Sequence, residues 1–206
     1  MAIILSGTAL STDLATIRAT STPIDVFRPA VNRIGMHLAV ETSKHLPSRD
    51  IDVTTPLETT TCSVIRGGVV IVPILRAGLG LLDPFLSICP EASVGFIGLK
   101  RDEETLAPHE YYRNLPPSDE DTTFIVIDPM LATGGSMTAT IALLKNLPHH
   151  CIIATCLIAS PEGVATITED HPDVMLVCGA LDRQLNDQGY IMPGLGDAGD
   201  RLFGTI

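Results

Sequence analysis

The run Asp128-Pro129-Met130-Leu131-Ala132-Thr133-Gly134-Gly135-Ser136 carries the clearest chemistry in the chain. It follows an apolar, β-branched stretch, Phe124–Ile127, and precedes a helix-like one, Met137–Lys145. An acid therefore stands at the carboxyl end of a strand. The small-residue loop behind it leaves backbone N–H groups at a helix N-terminus, where anions bind readily. A ligand carrying both hydroxyls and a phosphate suits such a loop. Two further strand ends supply cations: Arg76-Ala77-Gly78 follows Val69–Leu75, and Lys100-Arg101 follows Val94–Leu99. Ligands of doubly wound folds sit beyond the carboxyl ends of the strands, and a guanidinium grips phosphate oxygens in a fork. Either arginine alone reads as a surface charge. The two together, behind central strands, suit a phosphorylated sugar bearing further phosphates.

The elements that must position these residues alternate along the chain. Residues 22–45 read as a helix, with Thr22 as N-cap, Pro23 at the first helical position, and Ile24, Phe27, Val31, Ile34 and Leu38 forming one buried face. Five short apolar runs read as strands: Val69–Leu75, Val94–Leu99, Phe124–Ile127, Ile152–Ile158 and Val174–Cys178. Near-continuous apolar strands imply a mostly parallel sheet covered on both faces. Helices are expected over Gly78–Leu86, Ser136–Leu147 and Pro161–Glu169, the last capped by Ser160. The expected fold is α/β with crossover helices. We expect one domain over 1–206, with an N-terminal helical part over 1–50. Lys100–Asp121, with seven acids, is longer than an ordinary connection and is expected to be a flap or hairpin. The tail over 179–206 carries Gly189, Gly194, Gly196, Gly199 and Gly204, a density that signals special backbone geometry or close approach to a ligand.

Composition narrows the partners. Hydrophobic residues make up 45% of 206, enough for a real core, yet no apolar run reaches the ~18–20 residues of a membrane span. Met1-Ala2-Ile3-Ile4-Leu5 is too short for a signal-peptide core and lacks a basic flank. A soluble cytoplasmic protein is expected. A formal net charge of −11 argues against general nucleic-acid binding, which needs a basic footprint. The five cysteines include no Cys-x-x-Cys pair and read mostly as buried small hydrophobes. His149-His150-Cys151 has no second ligand cluster and reads as a loop feeding a strand.

Asp128–Ser136 resembles the phosphoribosyl-pyrophosphate (PRPP) loop of the type I phosphoribosyltransferases. Pro129, where most of them carry a second acid, and the doubled Gly134-Gly135 resemble the uracil branch. Three other segments agree: Pro73–Gly78, Arg101-Asp102-Glu103-Glu104-Thr105, and Gly189–Arg201, which is similar to the family's uracil pocket. The resemblance runs in order over about residues 60–206. The part before it matches loosely, through Ile17-Arg18 and Phe27-Arg28. Lys100 departs from it, standing where an aromatic usually precedes the arginine.

The resemblance implies a type I phosphoribosyltransferase-like fold with a flap and a small C-terminal base-binding hood. It implies that PRPP and uracil give UMP and pyrophosphate, with Mg²⁺ held mainly through substrate phosphates. On this pattern Arg76, Ala77, Gly78, Arg101 and the loop Asp128–Ser136 bind PRPP, with Asp128 on the ribose hydroxyls. Asp128, Asp197 and Arg76 act in catalysis, and Ile191, Gly196, Asp197 and Ala198 take the base. The alternative for Asp197 is a residue that merely fixes the Gly-rich turn. Arg18, Arg28 and Arg113 read as site cations or as solvated charges. No protein metal ligand is nameable. Relatives imply a homodimer or homotetramer and a possible GTP activator. Transfer to another base, and a PRPP-binding transcriptional regulator, remain as alternatives.

Overall fold

The computed structural model describes residues 2–101 and 108–205, without the side chains of Arg101 and Pro108. In chain order the elements are β1 (Ala2–Ile4), α1 (Thr8–Arg18), α2 (Ile24–Ser43), β2 (Ser48–Thr54), β3 (Thr59–Ile65) and β4 (Val69–Leu75). A 3₁₀ turn over Ala77–Leu81 leads into α3 (Leu82–Ile88), β5 (Ser93–Val94), β6 (Phe96–Arg101) and β7 (Pro108–Asn114). Then come β8 (Thr123–Ile127), β9 (Met130–Leu131), α4 (Gly135–Leu144), β10 (Cys151–Ala159), α5 (Pro161–Asp170) and β11 (Met175–Leu181). The tail holds β12 (Gln184–Leu185), β13 (Ile191–Met192) and α6 (Ala198–Phe203).

Among the described residues nine strands form one sheet, in the order β1-β11-β10-β8-β4-β6-β7, with β5 on β4 and β9 on β10. All pairs are parallel except β6–β7, which returns antiparallel. The mostly parallel α/β fold expected from the apolar runs is therefore present. Alternate residues of each strand serve opposite faces. Ile71, Ile125, Ile153 and Val177 pack with Ile17, Phe27, Ile34 and Leu38 of α1 and α2. Val70, Val72, Phe124 and Val126 pack with Met137, Ile141 and Leu144 of α4 and Ile167 of α5. Each fully buried side chain of this size contributes about 1.5–3 kcal/mol.

Several boundaries differ from the expected ones. Val94–Leu99 is not one strand but two, broken at Gly95. The break lies beside Pro73, between the β4 pairings Ile71↔Val94 and Ile74↔Ile97, and a proline has no N–H for a ladder. Thr22 does not cap α2. Its hydroxyl donates to Thr16 O at 2.6 Å, and Pro23 is itself the N-cap, with extended φ/ψ. The helix expected from Gly78 begins as the 3₁₀ turn, with Leu79 N bonded to Arg76 O, before α3. The helix α4 starts one residue early, at Gly135, and ends at Leu144. Its expected continuation to Leu147 is a tightened turn before Pro148, which disfavours helix in the residue ahead of it. The described part of the expected flap holds the end of β6, the strand β7 and the connection over 115–121, and residues 102–107, including Asp102-Glu103-Glu104-Thr105, lie outside the described residues.

Candidate functional site

The chain leaves β4 towards β6 on one side and then builds β8, β10 and β11 on the other. Strand order thus reverses between β4 and β8, and ligands of open α/β sheets bind outside the carboxyl ends at that point. A cavity of about 370 Å³ lies there. Ala77 lines it from the β4 loop, Asp128, Met130, Ala132 and Ser136 from the β8 loop, and Ile191, Gly196, Asp197 and Ala198 from the tail. A smaller concavity of about 30 Å³ sits inside the loop itself, between Asp128 and Met137. The larger space by itself falls within the roughly 300–1,000 Å³ usual for pockets that take small organic ligands.

Local geometry explains the loop. Gly134 has φ +85° and caps α4 in the left-handed region, where a side chain is strained. The carbonyl oxygen of Pro129 accepts from Leu157 N and Ile158 N, and that of Leu131 from Ser160 N. Ser160 Oγ donates to Ala132 O at 2.6 Å and accepts from Gly163 N at 2.9 Å. These carbonyls are thereby turned back onto β10 and α5. The first N–H groups of α4 have no intrahelical backbone acceptor, the arrangement in which helix N-termini receive anions, and Gly135 N donates to Thr133 Oγ1 at 3.5 Å.

Not every expected site residue reaches the cavity. Pro129 and Gly78 are buried and hold the loops together rather than line the space, and Leu131, also buried, faces only the smaller concavity. Thr133, Gly134 and Gly135 line the smaller concavity. The guanidinium of Arg76 is exposed, 3.4 Å from both Asp200 Oδ1 and Thr205 Oγ1. Arg101 ends β6, but its side chain lies outside the described residues. Asp197 does both things its sequence allowed: it lines the cavity, and its Oδ1 accepts from Asp200 N at 2.9 Å as the N-cap of α6.

The tail is held from the N-terminal helices. Arg18 forms two bonds to Asp182, at 2.8 and 2.5 Å, and one to Gly194 O at 2.9 Å; Asp182 Oδ2 accepts from Gly194 N at 2.8 Å. Arg201 donates to Ile17 O, to Leu195 O at 2.8 Å and to Ala19 O at 2.7 Å, and stacks 4.3 Å over the Phe27 ring. Arg28 Nε donates to Leu202 O at 2.7 Å. Arg18 and Arg28 therefore brace the tail, and Arg113 pairs with Glu110 at 3.2 Å. Arg18→Ala is expected to destabilise the fold by about 2 kcal/mol, read as a fall in Tm of roughly 4–8 °C, because it strands a buried carboxylate. An unchanged Tm would refute this brace.

Gln188, Gly189, Tyr190 and Gly199 also line the cavity and were not among the expected site residues. Three of them lie inside the Gly189–Arg201 segment, so their proximity was readable; Gln188, just before it, carried no signal. Cys156 and Cys178 lie opposite each other in β10 and β11, fully buried. Burial, with the neighbouring Cys178 and Asp128 adding to it, pushes the Cys156 thiol well above its ordinary value, so it stays neutral. His149 Nδ1 lies 2.8 Å from Leu147 O, and its ring is tilted against Phe124.

The fold is that of the type I phosphoribosyltransferases. The structure is similar in fold to an adenine phosphoribosyltransferase of Trypanosoma brucei (TM-score 0.54, 14% identity, covering 84% of this chain and 71% of that one). It is much nearer to the AQ2163 protein of Aquifex aeolicus (TM-score 0.90, 36% identity, 98% of both chains). A sequence model of the family described as uracil phosphoribosyltransferase matches residues 4–205. The chain is 51% identical to a uracil phosphoribosyltransferase of Clostridium perfringens over 93% of this chain and 92% of that protein. It is 47% identical to one of Streptococcus agalactiae over 98% and 97%. The chain belongs to the uracil phosphoribosyltransferase family.

Proposed function

We propose that the protein transfers the phosphoribosyl group of PRPP to N1 of uracil, releasing pyrophosphate and giving UMP. The observation that carries this reading is one cavity shared by the Asp128–Ser136 loop and the Ile191, Gly196–Ala198 segment, in a chain that matches the family over residues 4–205. Membership of this family weighs against transfer to another base and against a transcriptional regulator.

In this reading the amides of Ala132–Ser136, with the hydroxyls of Thr133 and Ser136, hold the 5′-phosphate. Asp128 accepts from the ribose hydroxyls. Arg76 and Arg101 take the pyrophosphate, Arg76 by leaving Asp200 and Thr205. The backbones of Ile191, Gly196 and Ala198 meet the keto edge of uracil. A site built to hydrogen-bond such an edge rejects a base that lacks it by up to 10⁴-fold or more. Among the described residues no cluster of three or more His, Cys, Asp or Glu forms a metal cage. The hard carboxylate oxygens of Asp128 and Asp197 nevertheless line the cavity and suit a hydrated Mg²⁺ held mainly by PRPP. Such an ion would neutralise charge on the departing pyrophosphate.

The test is UMP formation from uracil, PRPP and Mg²⁺, with hypoxanthine, adenine and orotate as competitors; turnover of any of these but not of uracil would overturn the reading. Arg76→Ala should raise the PRPP KM about tenfold, as loss of a charge-assisted hydrogen bond worth about 1.5–3 kcal/mol implies. Wild-type PRPP affinity by calorimetry would remove Arg76 from the site.

The protein is further proposed to work in the cytoplasm as a homodimer or homotetramer, with GTP as activator. Among the described residues no helix is long and apolar enough to cross a membrane. The β2–β3 ribbon supports self-association. It pairs from Ser48↔Ile65 to Thr54↔Thr59, and Ile51, Val53, Cys62 and Val64 share one of its faces. Two strands alone are marginal in water. A sedimentation mass of one chain would refute the oligomer, and rates indifferent to GTP would refute the activator.

A further inference from the structure

The first turn of α5 touches both halves of the site. Towards the phosphate loop, Ser160 Oγ holds Ala132 O at 2.6 Å, and Gly163 closes against the same carbonyl. Towards the base pocket, Glu162 Oε1 accepts from Leu185 N at 3.0 Å. Leu185 lies directly opposite Ile191 in the β12–β13 ribbon, and Ile191 lines the cavity. The ribbon's own bonds define its shape: Asn186 N to Tyr190 O, Gly189 N to Asn186 O, and Asn186 Oδ1 accepting from Gln188 N and Tyr190 N. They do not define where the ribbon stands relative to the phosphate loop. The bond from Asp182 N to Ala159 O and the Arg18–Asp182–Gly194 bonds hold the ribbon's root on the sheet and the N-terminal helices, and Glu162 adds the tie to the helix turn on which the phosphate loop is seated. Its carboxyl lies below the ordinary carboxylate range, first because the Leu185 amide donates to it, so the charged acceptor persists at neutral pH.

We infer that Glu162 is a positioning residue for the acceptor base: its bond to Leu185 N holds the β12–β13 ribbon, and with it the Ile191 backbone, at a set distance from the phosphate loop. The inference deepens the proposed reaction and rests on it. A merely structural role is the competing account, since an acid in the first turn also complements the helix dipole.

The two accounts separate in steady-state kinetics of UMP formation. Glu162→Ala should raise the uracil KM about tenfold by letting the Ile191 backbone drift, while the PRPP KM stays within about twofold of wild type and Tm falls by no more than about 4 °C, as the loss of one exposed hydrogen bond allows. Glu162→Gln keeps an acceptor oxygen without the charge and should bring the uracil KM back to within about threefold. Hydrogen exchange at the Leu185 amide, read without substrate, should quicken in Glu162→Ala. A uracil KM that does not move, a parallel rise in both KM values, or undiminished protection of Leu185 overturns the inference. Wild-type protein that fails to turn over uracil overturns the reaction itself, whereas normal wild-type turnover with an unmoved Glu162→Ala overturns only the positioning role.

Discussion

Asp197→Asn is expected to lower kcat about 100-fold while the uracil and PRPP KM values change little. Cleavage of the anomeric carbon–oxygen bond builds positive charge on the ribose ring, and a fixed carboxylate beside it stabilises that charge most in the transition state. Removing one preorganised electrostatic group of this kind typically costs about 10²–10³ in kcat. The substitution is chosen because Asp197 also caps α6, its Oδ1 accepting from Asp200 N at 2.9 Å. Asparagine is as good an N-cap as aspartate, so the cap survives and only the charge is lost. Asp197→Ala loses both and should cost about 1 kcal/mol of stability in addition. Rates and Tm measured on the two variants separate the roles. A wild-type kcat in Asp197→Asn would leave the residue with the cap alone.

What the sequence made legible follows from where the physical signal lies. The strands β4, β8, β10 and β11 are buried on both faces, and burial writes itself as a run of β-branched residues. Exposed elements write little. The β2–β3 ribbon is mostly Thr, Ser and Asp with only two half-buried positions in each strand at most, and β7 is an edge strand reading Pro-His-Glu-Tyr-Tyr-Arg-Asn. The helix α1 buries only Leu10, Asp13 and Ile17, too few for its period to stand out. The site divides the same way. The phosphate loop is consecutive, so strand, acid, glycines and helix are visible in one window. Its supports are not consecutive: Arg18 meets Asp182 164 residues later, and Ser160 reaches Ala132 across 28. A charge that braces and a charge that binds substrate look alike until the partner is known, which is why Arg18 and Arg28 stayed ambiguous while Asp128 did not.

The same support makes Gly163→Ala a damaging small substitution outside the cavity. A Cβ built on Gly163 would stand 2.4 Å from Ala132 O and 2.8 Å from Leu131 O. Both are backbone atoms of the phosphate loop, so no side chain can swing aside to make room. Either the loop moves towards the cavity or α5 moves off the sheet, and Ser160 Oγ, bonded to both Gly163 N and Ala132 O, couples the two movements. Overpacking of this sort costs about 1–3 kcal/mol, roughly 2–12 °C in Tm for a chain of this size. The functional loss should be larger than the loss of stability suggests, because a 1 Å misplacement of a binding loop can cost 10²-fold in rate. Expected, then, is folded protein with kcat/KM for PRPP down by about 100-fold or more. Gly68→Ala is the matched control: its Cβ would meet only Thr122 Oγ1, at 3.7 Å, an ordinary contact far from the loop. If Gly163→Ala kept wild-type kcat/KM for PRPP, the phosphate loop would have to tolerate displacement, and the tight seating of Ala132 on α5 would have no part in binding the donor.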